Sequence, residues 1–390
     1  MPERVMVSRT TAPYCAAWMV VCATSVGVLA GGLLGGCSSE QPKQGSVAVV
    51  SYQRTIGEVG LAPGQLASPR CIDQDGEALW VIDKEARVQR LDPVTGTCLA
   101  VWKMPYSEFG KPTGLTVVAD PARPGHHVMY IADTHYHRIR VYSIAPVDDA
   151  AKRRIKEGGF PHEQEAELLF QFGSHGKGPG QFVFPTDVAV LHGPDGSIER
   201  LYVPEYGGND RISVFDAKAN FLFAFGQFGS GAQPEPLQFS RPQSIAIDEA
   251  RRRLIVADAC NHRIGVLTLD GKLERWISSP DEAGDAPGHF NYPYGLALLK
   301  DGSALVTEFG GARMQRIDVV TGSPLGIFMG KPDDRQPGKL RGLANPWSCT
   351  VLGDAVWVLD TRNNRIASFV LPDVGRNLSH SRQEAGGATR

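Results

Sequence analysis

Six acidic residues recur along the chain, and each is followed four to six positions later by an arginine. Carboxylates that converge on one face of a repeat protein could act as general acids or bases. A residue type that recurs in every repeat normally has the same structural role in each of them, so we interpret each pair as a salt bridge that fixes a loop. The pairs are Asp83–Arg87, Asp133–Arg138, Glu205–Arg211, Asp258–Arg263, Glu308–Arg313 and Asp360–Arg365.

A second set of residues breaks the repeat and is therefore the better candidate for ligand binding. These residues follow six prolines that recur in step with the acidic residues. Aromatic faces beside polar groups suit sugar rings or extended peptides, and Trp and Tyr are favoured at binding hot spots. The residues after the prolines are Arg70, Thr113, Thr186, Gln243, Tyr294 and Trp347, and Asp187 is the next position in the third repeat.

Residues 237–277 show which elements must position these side chains. Residues 244–248, 254–258 and 263–267 have the composition of short strands, and an Asp270–Gly271 turn introduces a fourth. Equivalent segments occur six times, and their prolines are separated by 43, 73, 57, 51 and 53 residues. Such a unit cannot bury both faces of its sheet alone, so we expect the copies to pack against one another.

Two segments carry the pattern of these repeats most clearly: GKGPGQFVFPTDVAV at residues 176–190 and IVADACNHRIGV at residues 255–266. They resemble NHL repeats, and the resemblance extends over residues 47–370. It implies an all-β fold, a β-propeller that most simply has six four-stranded antiparallel blades.

The two ends of the repeat array are incomplete in complementary ways. Residues 47–57 are similar to the fourth strands of later repeats but lack the first three, whereas residues 346–370 supply three strands without a fourth. We therefore predict that the N-terminal strand completes the last blade and closes the ring, which removes an exposed sheet edge.

In an NHL propeller the first strand of each blade lines a central channel, so the residues that follow the prolines would face one mouth of it. Tyr294 and Trp347 lie on neighbouring blades there, and Tyr206, Phe309 and Arg70 would flank them. The alternative is that the aromatic rings only plug the channel.

Residues 185–190, PTDVAV, also resemble one enzymatic branch of the fold, the peptidyl-hydroxyglycine amidating lyases. That resemblance implies a zinc site of three histidines after blade-opening prolines. The matching positions are Thr113, Gln243 and either Tyr294 or Trp347, and none is histidine, so the lyase activity is disfavoured. We expect no cofactor, although Asp187 could contribute to a calcium site in the channel.

The N-terminus has the charge and length of a secretory signal. Arg4 and Arg9 precede an apolar run over residues 16–34, which ends in a lipobox-like Leu-Gly-Gly-Cys sequence. We expect residues 1–36 to be a signal peptide, Cys37 to be lipidated and residues 37–46 to form a tether. The chain would then be exported and anchored in the bacterial cell envelope, with Ser38 favouring the outer membrane. The alternative is an uncleaved membrane anchor.

Three further features allow coarser expectations. Four cysteines remain after Cys37, and they could form disulfides in three pairings or, as we favour, serve as buried thiols: Cys71, Cys98, Cys260 and Cys349. Residues 148–156 are helix-compatible and belong to an insertion that we expect to be a solvated excursion. Residues 373–390 are polar and aperiodic, which predicts disorder.

These observations favour a binding or scaffolding module for an envelope protein, peptide or glycan, acting as a monomer. A net charge of −2 argues against nucleic acid as a partner. The alternative is a metal-dependent propeller enzyme, a lyase or lactonase-like hydrolase, with its site at the central channel.

Overall fold

The computed structural model describes residues 48–49, 52–105, 108, 110–147, 149–157, 159, 162–163, 166–328 and 342–371. The signal peptide, the lipidated Cys37, the tether and the C-terminal tail are predictions that lie outside the described residues. Within the described ranges, no helix has the length and hydropathy needed to cross a membrane.

The repeats form six antiparallel sheets of four strands each, arranged as a six-bladed β-propeller. Blade 6 takes its fourth strand from the N-terminus. Short strands outside these sheets or at their edges are Ala48–Val49, His162–Glu163, Phe184–Pro185, Gln227–Phe228 and Gln238–Phe239. The blades, each from its inner to its outer strand, are Pro69–Gln74, Leu79–Asp83, Arg87–Leu91 and Cys98–Lys103 (blade 1); Gly114–Ala119, His127–Asp133, Arg138–Ile144 and Glu167–Phe172 (blade 2); Ala189–His192, Ile198–Tyr206, Arg211–Asp216 and Phe221–Phe225 (blade 3); Pro242–Asp248, Arg253–Asp258, Arg263–Thr268 and Leu273–Ile277 (blade 4); Pro293–Leu298, Ser303–Glu308, Arg313–Asp318 and Pro324–Phe328 (blade 5); and Pro346–Leu352, Ala355–Asp360, Arg365–Val370 and Tyr52–Ile56 (blade 6).

The sequence landmarks coincide in the register of the sheets. In blade 4, Pro242 lies opposite Asp258 on the neighbouring strand, and Asp258 lies opposite Arg263 on the next. Blades 5 and 6 repeat this register. The proline, the acidic residue and the arginine therefore mark the same end of each sheet, on the face where the loops that begin the blades are found.

The hydrophobic core is divided into clusters between successive blades. Ile56, Leu79 and Ile366 belong to the cluster between blades 6 and 1, and equivalent clusters lie between every other neighbouring pair. Each blade thus buries both faces of its sheet against its neighbours, which stabilises the ring as a whole.

The predicted closure of the ring is confirmed over Tyr52–Ile56, which pairs antiparallel with Arg365–Val370 of blade 6. The first part of the predicted strand lies elsewhere, because Ala48–Val49 pairs in parallel with the outer strand of blade 5. The N-terminal segment therefore bridges the last two blades.

The insertion between the third and fourth strands of blade 2 is not the solvated excursion that the sequence suggests. Its helix, Asp149–Lys156, buries Ile155, and His162–Glu163 then pairs in parallel with the outer strand of blade 1. Val147 packs on Ala100 of that same strand. An apolar residue on an otherwise charged helix and a free strand edge explain why the segment docks on blade 1.

All six acid–arginine pairs form ion pairs, in which the nearest nitrogen and oxygen atoms are 2.6 to 3.0 Å apart. In blade 4 the fully buried Arg263 donates to Asp258 and also to the backbone carbonyls of Gly231 and Gln238, at 3.1 and 2.8 Å. Each pair that bonds in this way ties the loop before its blade to the turn between the second and third strands, which supports a structural role.

The four cysteines in the described part of the chain are free thiols. Cys71, Cys98 and Cys349 are buried, as expected. Cys260 is exposed, which corrects the expectation for that residue. It lies in the Ala259–Asn261 turn, at the loop face of blade 4 rather than inside a sheet.

Candidate functional site

The channel mouth is framed by sharp turns before the inner strands. In four blades the residue before the blade-opening proline has a left-handed backbone, with φ of 50° at Ser68, 58° at Arg241, 52° at Tyr292 and 49° at Asn345. Residues other than glycine seldom adopt this conformation, so such positions are worth inspection for function. One of them, Arg241, contributes directly to the mouth.

Three aromatic rings form one wall of the mouth, and we call Tyr294, Phe309 and Trp347 the aromatic wall. The rings of Tyr294 and Phe309 are stacked with centroids 4.7 Å apart. Trp347 meets both edge to face, at 5.0 Å from Tyr294 and 5.5 Å from Phe309. Tyr294 and Trp347 are 6% and 7% exposed, so most of their surface packs within the protein and a rim of each faces the mouth.

Two guanidinium groups lie against the rings at the mouth, and we call Arg70 and Arg241 the arginine pair. The Cζ atom of Arg70 is 4.1 Å from the centroid of the Trp347 ring. Arg241 lies between two tyrosines, 4.8 Å from Tyr206 and 5.1 Å from Tyr294. The predicted residues Arg70, Tyr206, Tyr294, Phe309 and Trp347 are thus brought together, although they come from four different blades.

The arginine pair is electrostatically unfavourable on its own. Burial lowers the pKa of Arg70, and the nearby charge of Arg241 lowers it further. Within the described ranges, neither arginine forms an ion pair with a carboxylate. Nε of Arg70 and Nε1 of Trp347 are buried without a hydrogen-bond partner. Buried donors of this kind usually have an acceptor, so the mouth is a place where an acceptor is missing.

The remaining predicted residues at this level are occupied by contacts within the protein. Oγ1 of Thr113 hydrogen-bonds to Thr134 at 2.7 Å and donates to the carbonyl of Thr186 at 3.0 Å. Thr186 is fully buried and donates to the carbonyl of Pro242, so its side chain does not face the mouth. This is a correction: a small hydroxyl residue at this position joins blades 3 and 4.

Gln243 lies beneath the arginine pair and is 3% exposed. Its Oε1 accepts a hydrogen bond of 3.0 Å from Nε of Arg241. The role of Gln243 in this geometry is to hold the Arg241 side chain in place.

Below the mouth, the channel contains a cavity of about 280 Å³. Its polar lining residues include Cys71, Asp73, Asp187, Ser244, Ser348 and Thr350. The second residue after the blade-opening proline is glycine in blades 2 and 5, where blade 1 has Cys71 and blade 3 has Asp187. A Cβ atom on Gly114 would lie 2.5 Å from the carbonyl oxygen of Thr186, and one on Gly295 would lie 2.6 Å from the Cα of Ser348. The inner strands approach too closely at these two points for any side chain.

The two channel carboxylates are held by protein donors. Asp187 accepts from Oγ of Ser244 at 2.8 Å and from the backbone N–H of Ile245 at 3.2 Å. Asp73 accepts from the backbone N–H of Val117 at 2.7 Å and from Thr350 at 3.3 Å. Burial raises the pKa of Asp187 to about 6 and that of Asp73 to about 7, in spite of these bonds.

The chemistry of the donors bears on whether this region fits a metal. The positions that match the zinc histidines of the amidating lyases, Thr113, Gln243 and either Tyr294 or Trp347, hold a hydroxyl, an amide and an aromatic ring, a set that cannot replace three imidazoles. In the described part of the chain, the channel included, no group of three or more His, Cys, Asp or Glu side chains could hold a metal ion.

Sequence reasoning missed two residues of this region, Arg241 and Asp73. Arg241 precedes its proline, whereas only the residues that follow the prolines were expected at the mouth. Asp73 lies two positions after Cys71 on the inner strand of blade 1, and the alternation of a strand could have placed both in the channel.

Comparison with known proteins agrees with the fold. The family model "NHL repeat" matches residues 239–267, which are most of the first three strands of blade 4 and the residues before them. This chain is a β-propeller that contains an NHL repeat.

The relatives of this NHL propeller match only part of it. Rat peptidylglycine alpha-amidating monooxygenase is 37% identical over 114 residues, which cover 29% of this chain and 11% of the rat protein. Human NHL repeat-containing protein 2 is 24% identical over 155 residues, which cover 35% of this chain and 21% of the human protein. The NHL propeller therefore aligns with a small fraction of the length of these curated relatives.

A solved structure supports the fold over most of the NHL propeller. A structural genomics protein of unknown function from Bacteroides thetaiotaomicron superposes with a TM-score of 0.53 at 15% identity. The match covers 83% of this chain and 75% of that one. At this identity the similarity concerns the fold alone.

Proposed function

We propose that this NHL propeller is a binding or scaffolding module of the bacterial cell envelope that takes a protein, peptide or glycan at the channel mouth. The observation that carries the proposal is the aromatic wall of Tyr294, Phe309 and Trp347 beside the arginine pair. Aromatic rings and arginine are the residues that contribute most to binding energy at recognition surfaces. Their clustering at one mouth, where other blades place small polar residues, is typical of a recognition site.

The residues at the positions that match the zinc histidines also favour binding over the lyase chemistry of the resembling family. Thr113 and Gln243 are used to hold neighbouring residues in place. Trp347 supports Arg70. Thr113, Gln243 and Trp347 are thus committed to contacts within the protein, and Gln243 and Trp347 hold the arginine pair in place.

The proposed location follows from the N-terminal sequence. A lipid on Cys37 and a short tether over residues 37–46 would hold the propeller at a membrane surface, with the outer membrane favoured. We propose that the protein is a monomer there, because the closed ring pairs the N-terminal strand with blade 6 instead of leaving that edge for a second copy.

The proposal is tested by pull-down from envelope fractions with the full-length chain as bait. Wild type should retain a partner or glycan that a Tyr294→Ala/Trp347→Ala variant loses. Phe228→Ala is the matched control, since Phe228 is an exposed ring that belongs neither to the aromatic wall nor to the turns that frame the mouth. A melting curve for each variant verifies that it is folded. Equal retention by wild type and a folded double variant would contradict the proposal.

A metal-dependent propeller enzyme, a lyase or lactonase-like hydrolase, is the second candidate. It is favoured by the local similarity to the amidating monooxygenases and by the two carboxylates in the channel. These carboxylates, Asp187 and Asp73, would be the charged ligands of a calcium ion. Metal analysis of the purified protein tests it. A stoichiometric divalent ion that Asp187→Ala removes would favour the enzyme, and its absence from wild type would leave the binding module.

A further inference from the structure

We propose that the ligand of this protein carries an oxyanionic group, a carboxylate or a phosphate, which binds between Arg70 and Arg241 at the channel mouth. This inference rests on the proposed binding function and specifies the chemistry that the site recognises.

The channel mouth carries an excess of positive charge. Two guanidinium groups face the same opening, and within the described ranges neither has a carboxylate partner. The carboxylate of Asp210 does bond to Arg241, but it accepts from the backbone N–H groups of Arg241 and Gly208 and not from the guanidinium. Two like charges at a partly buried mouth repel each other, and an anion placed between them removes that repulsion.

The arginine pair also has hydrogen-bond donors that the protein does not use. Stacking against an aromatic ring occupies the face of a guanidinium and leaves its N–H groups at the edge. Arg70 is held in this way on Trp347, and Arg241 between Tyr206 and Tyr294. Gln243 accepts a hydrogen bond from Nε of Arg241 only. The two terminal nitrogens of Arg241 therefore have no protein acceptor in the described part of the chain. Nε of Arg70 and Nε1 of Trp347 are two further buried donors without acceptors.

The shape of a guanidinium group matches that of an oxyanion. The planar fork of a guanidinium binds the two oxygens of a carboxylate or phosphate, and such charge-assisted bonds are roughly twice as strong as neutral ones. The aromatic wall lies directly beside the pair, because Trp347 contacts Arg70 on one side and Tyr294 on the other. A ligand with an anionic group next to an apolar or planar part would therefore use both.

Isothermal titration calorimetry of the purified full-length chain tests the inference with three probes. N-acetylphenylalanine presents a carboxylate, phenyl phosphate presents a phosphate, and N-acetylphenylalanine amide is the neutral match of the first. Wild type should bind at least one anionic probe and bind it at least tenfold more tightly than the amide. The probe that binds more tightly identifies which of the two oxyanions the ligand carries.

Substitution of either arginine should remove this preference. Arg70→Gln and Arg241→Gln should each weaken the anionic probe at least tenfold and leave the amide unchanged. Arg275→Gln is the matched control, since Arg275 is an exposed arginine on the outer strand of blade 4, and it should leave all affinities unchanged. Each variant is first shown to melt with wild-type cooperativity.

Two results would overturn the inference: wild type that binds neither anionic probe, or anion binding that Arg70→Gln and Arg241→Gln both leave intact. If the Tyr294→Ala/Trp347→Ala variant loses the envelope partner and either of these results is also obtained, the inference of an oxyanionic ligand is wrong and the proposed function still stands. Anion binding that requires both arginines, with a partner retained by the double variant, would instead count against the proposed function alone.

Discussion

The guanidinium of Arg70, in the first blade, lies 4.1 Å from the ring centroid of Trp347, in the last. The two residues meet because the ring is closed, with Tyr52–Ile56 paired to blade 6 and the core between blades 6 and 1 formed. The channel mouth is therefore a product of ring closure, and its geometry depends on the strand that closes the ring.

The contact between Arg70 and Trp347 should be measurable as a coupling energy. A cation over an indole ring is worth about 0.5–2 kcal/mol, depending on its desolvation. In a double-mutant cycle of Arg70→Met and Trp347→Leu, we expect the double variant to be less destabilised than the sum of the two single variants, by an amount in this range. Urea unfolding of the four proteins gives the energies. Additivity within about 0.3 kcal/mol would show that the two side chains are not coupled.

Removal of the closing contact should destabilise the whole propeller. Ile56 is 7% exposed in the core between blades 6 and 1, so Ile56→Ala should lower the free energy of unfolding by about 2–4 kcal/mol. Val59→Ala is the control, because Val59 is 71% exposed only three residues away. Thermal melts report both variants. An unchanged melting midpoint for Ile56→Ala would argue against closure by this strand.

The acid–arginine pairs should act through stability. Arg263→Ala leaves Asp258 buried without its charge partner and frees two backbone carbonyls, so the free energy of unfolding should fall by about 3–5 kcal/mol. Arg138→Ala should show a smaller loss, since Arg140 also contacts Asp133 and remains as its partner. Chemical denaturation measures both. Wild-type stability in a variant that has lost ligand binding would instead indicate a functional role for the arginine.

The channel carboxylates should make stability fall as the pH rises from about 4 to about 7. Their native pKa values, about 7 for Asp73 and about 6 for Asp187, lie above the ordinary value of 3.8, so the native state binds more protons than the unfolded state in this window. Each unit of pKa difference corresponds to about 1.4 kcal/mol.

The isosteric amides test that pH dependence. In Asp73→Asn and Asp187→Asn the titrating group is removed, so the decline in unfolding free energy between pH 4 and 7 should become shallower. Denaturant unfolding across the pH range gives the slope for each variant. The same slope in wild type and in both variants would show that other groups set the pH dependence.

Much of the fold could be predicted because its signals are local and repeated. Pro242, Asp258 and Arg263 recur in register across the blades, and strand alternation with turn residues defines each sheet. The number of blades and the closure by the N-terminal strand follow from counting these copies. The docking of the insertion on blade 1 could not be inferred, since it depends on which strand edge lies within reach of Ile155 and His162–Glu163.

The candidate site divides in the same way. The sequence by itself determined that Arg70, Tyr294 and Trp347 share one face, because each follows a proline at the same point of its repeat. Only the tertiary structure decided that Thr186 turns into the contact between blades and that Arg241 joins the mouth. These outcomes depend on a left-handed turn and on the close approach of neighbouring inner strands, and both arise from packing between blades that are distant in sequence.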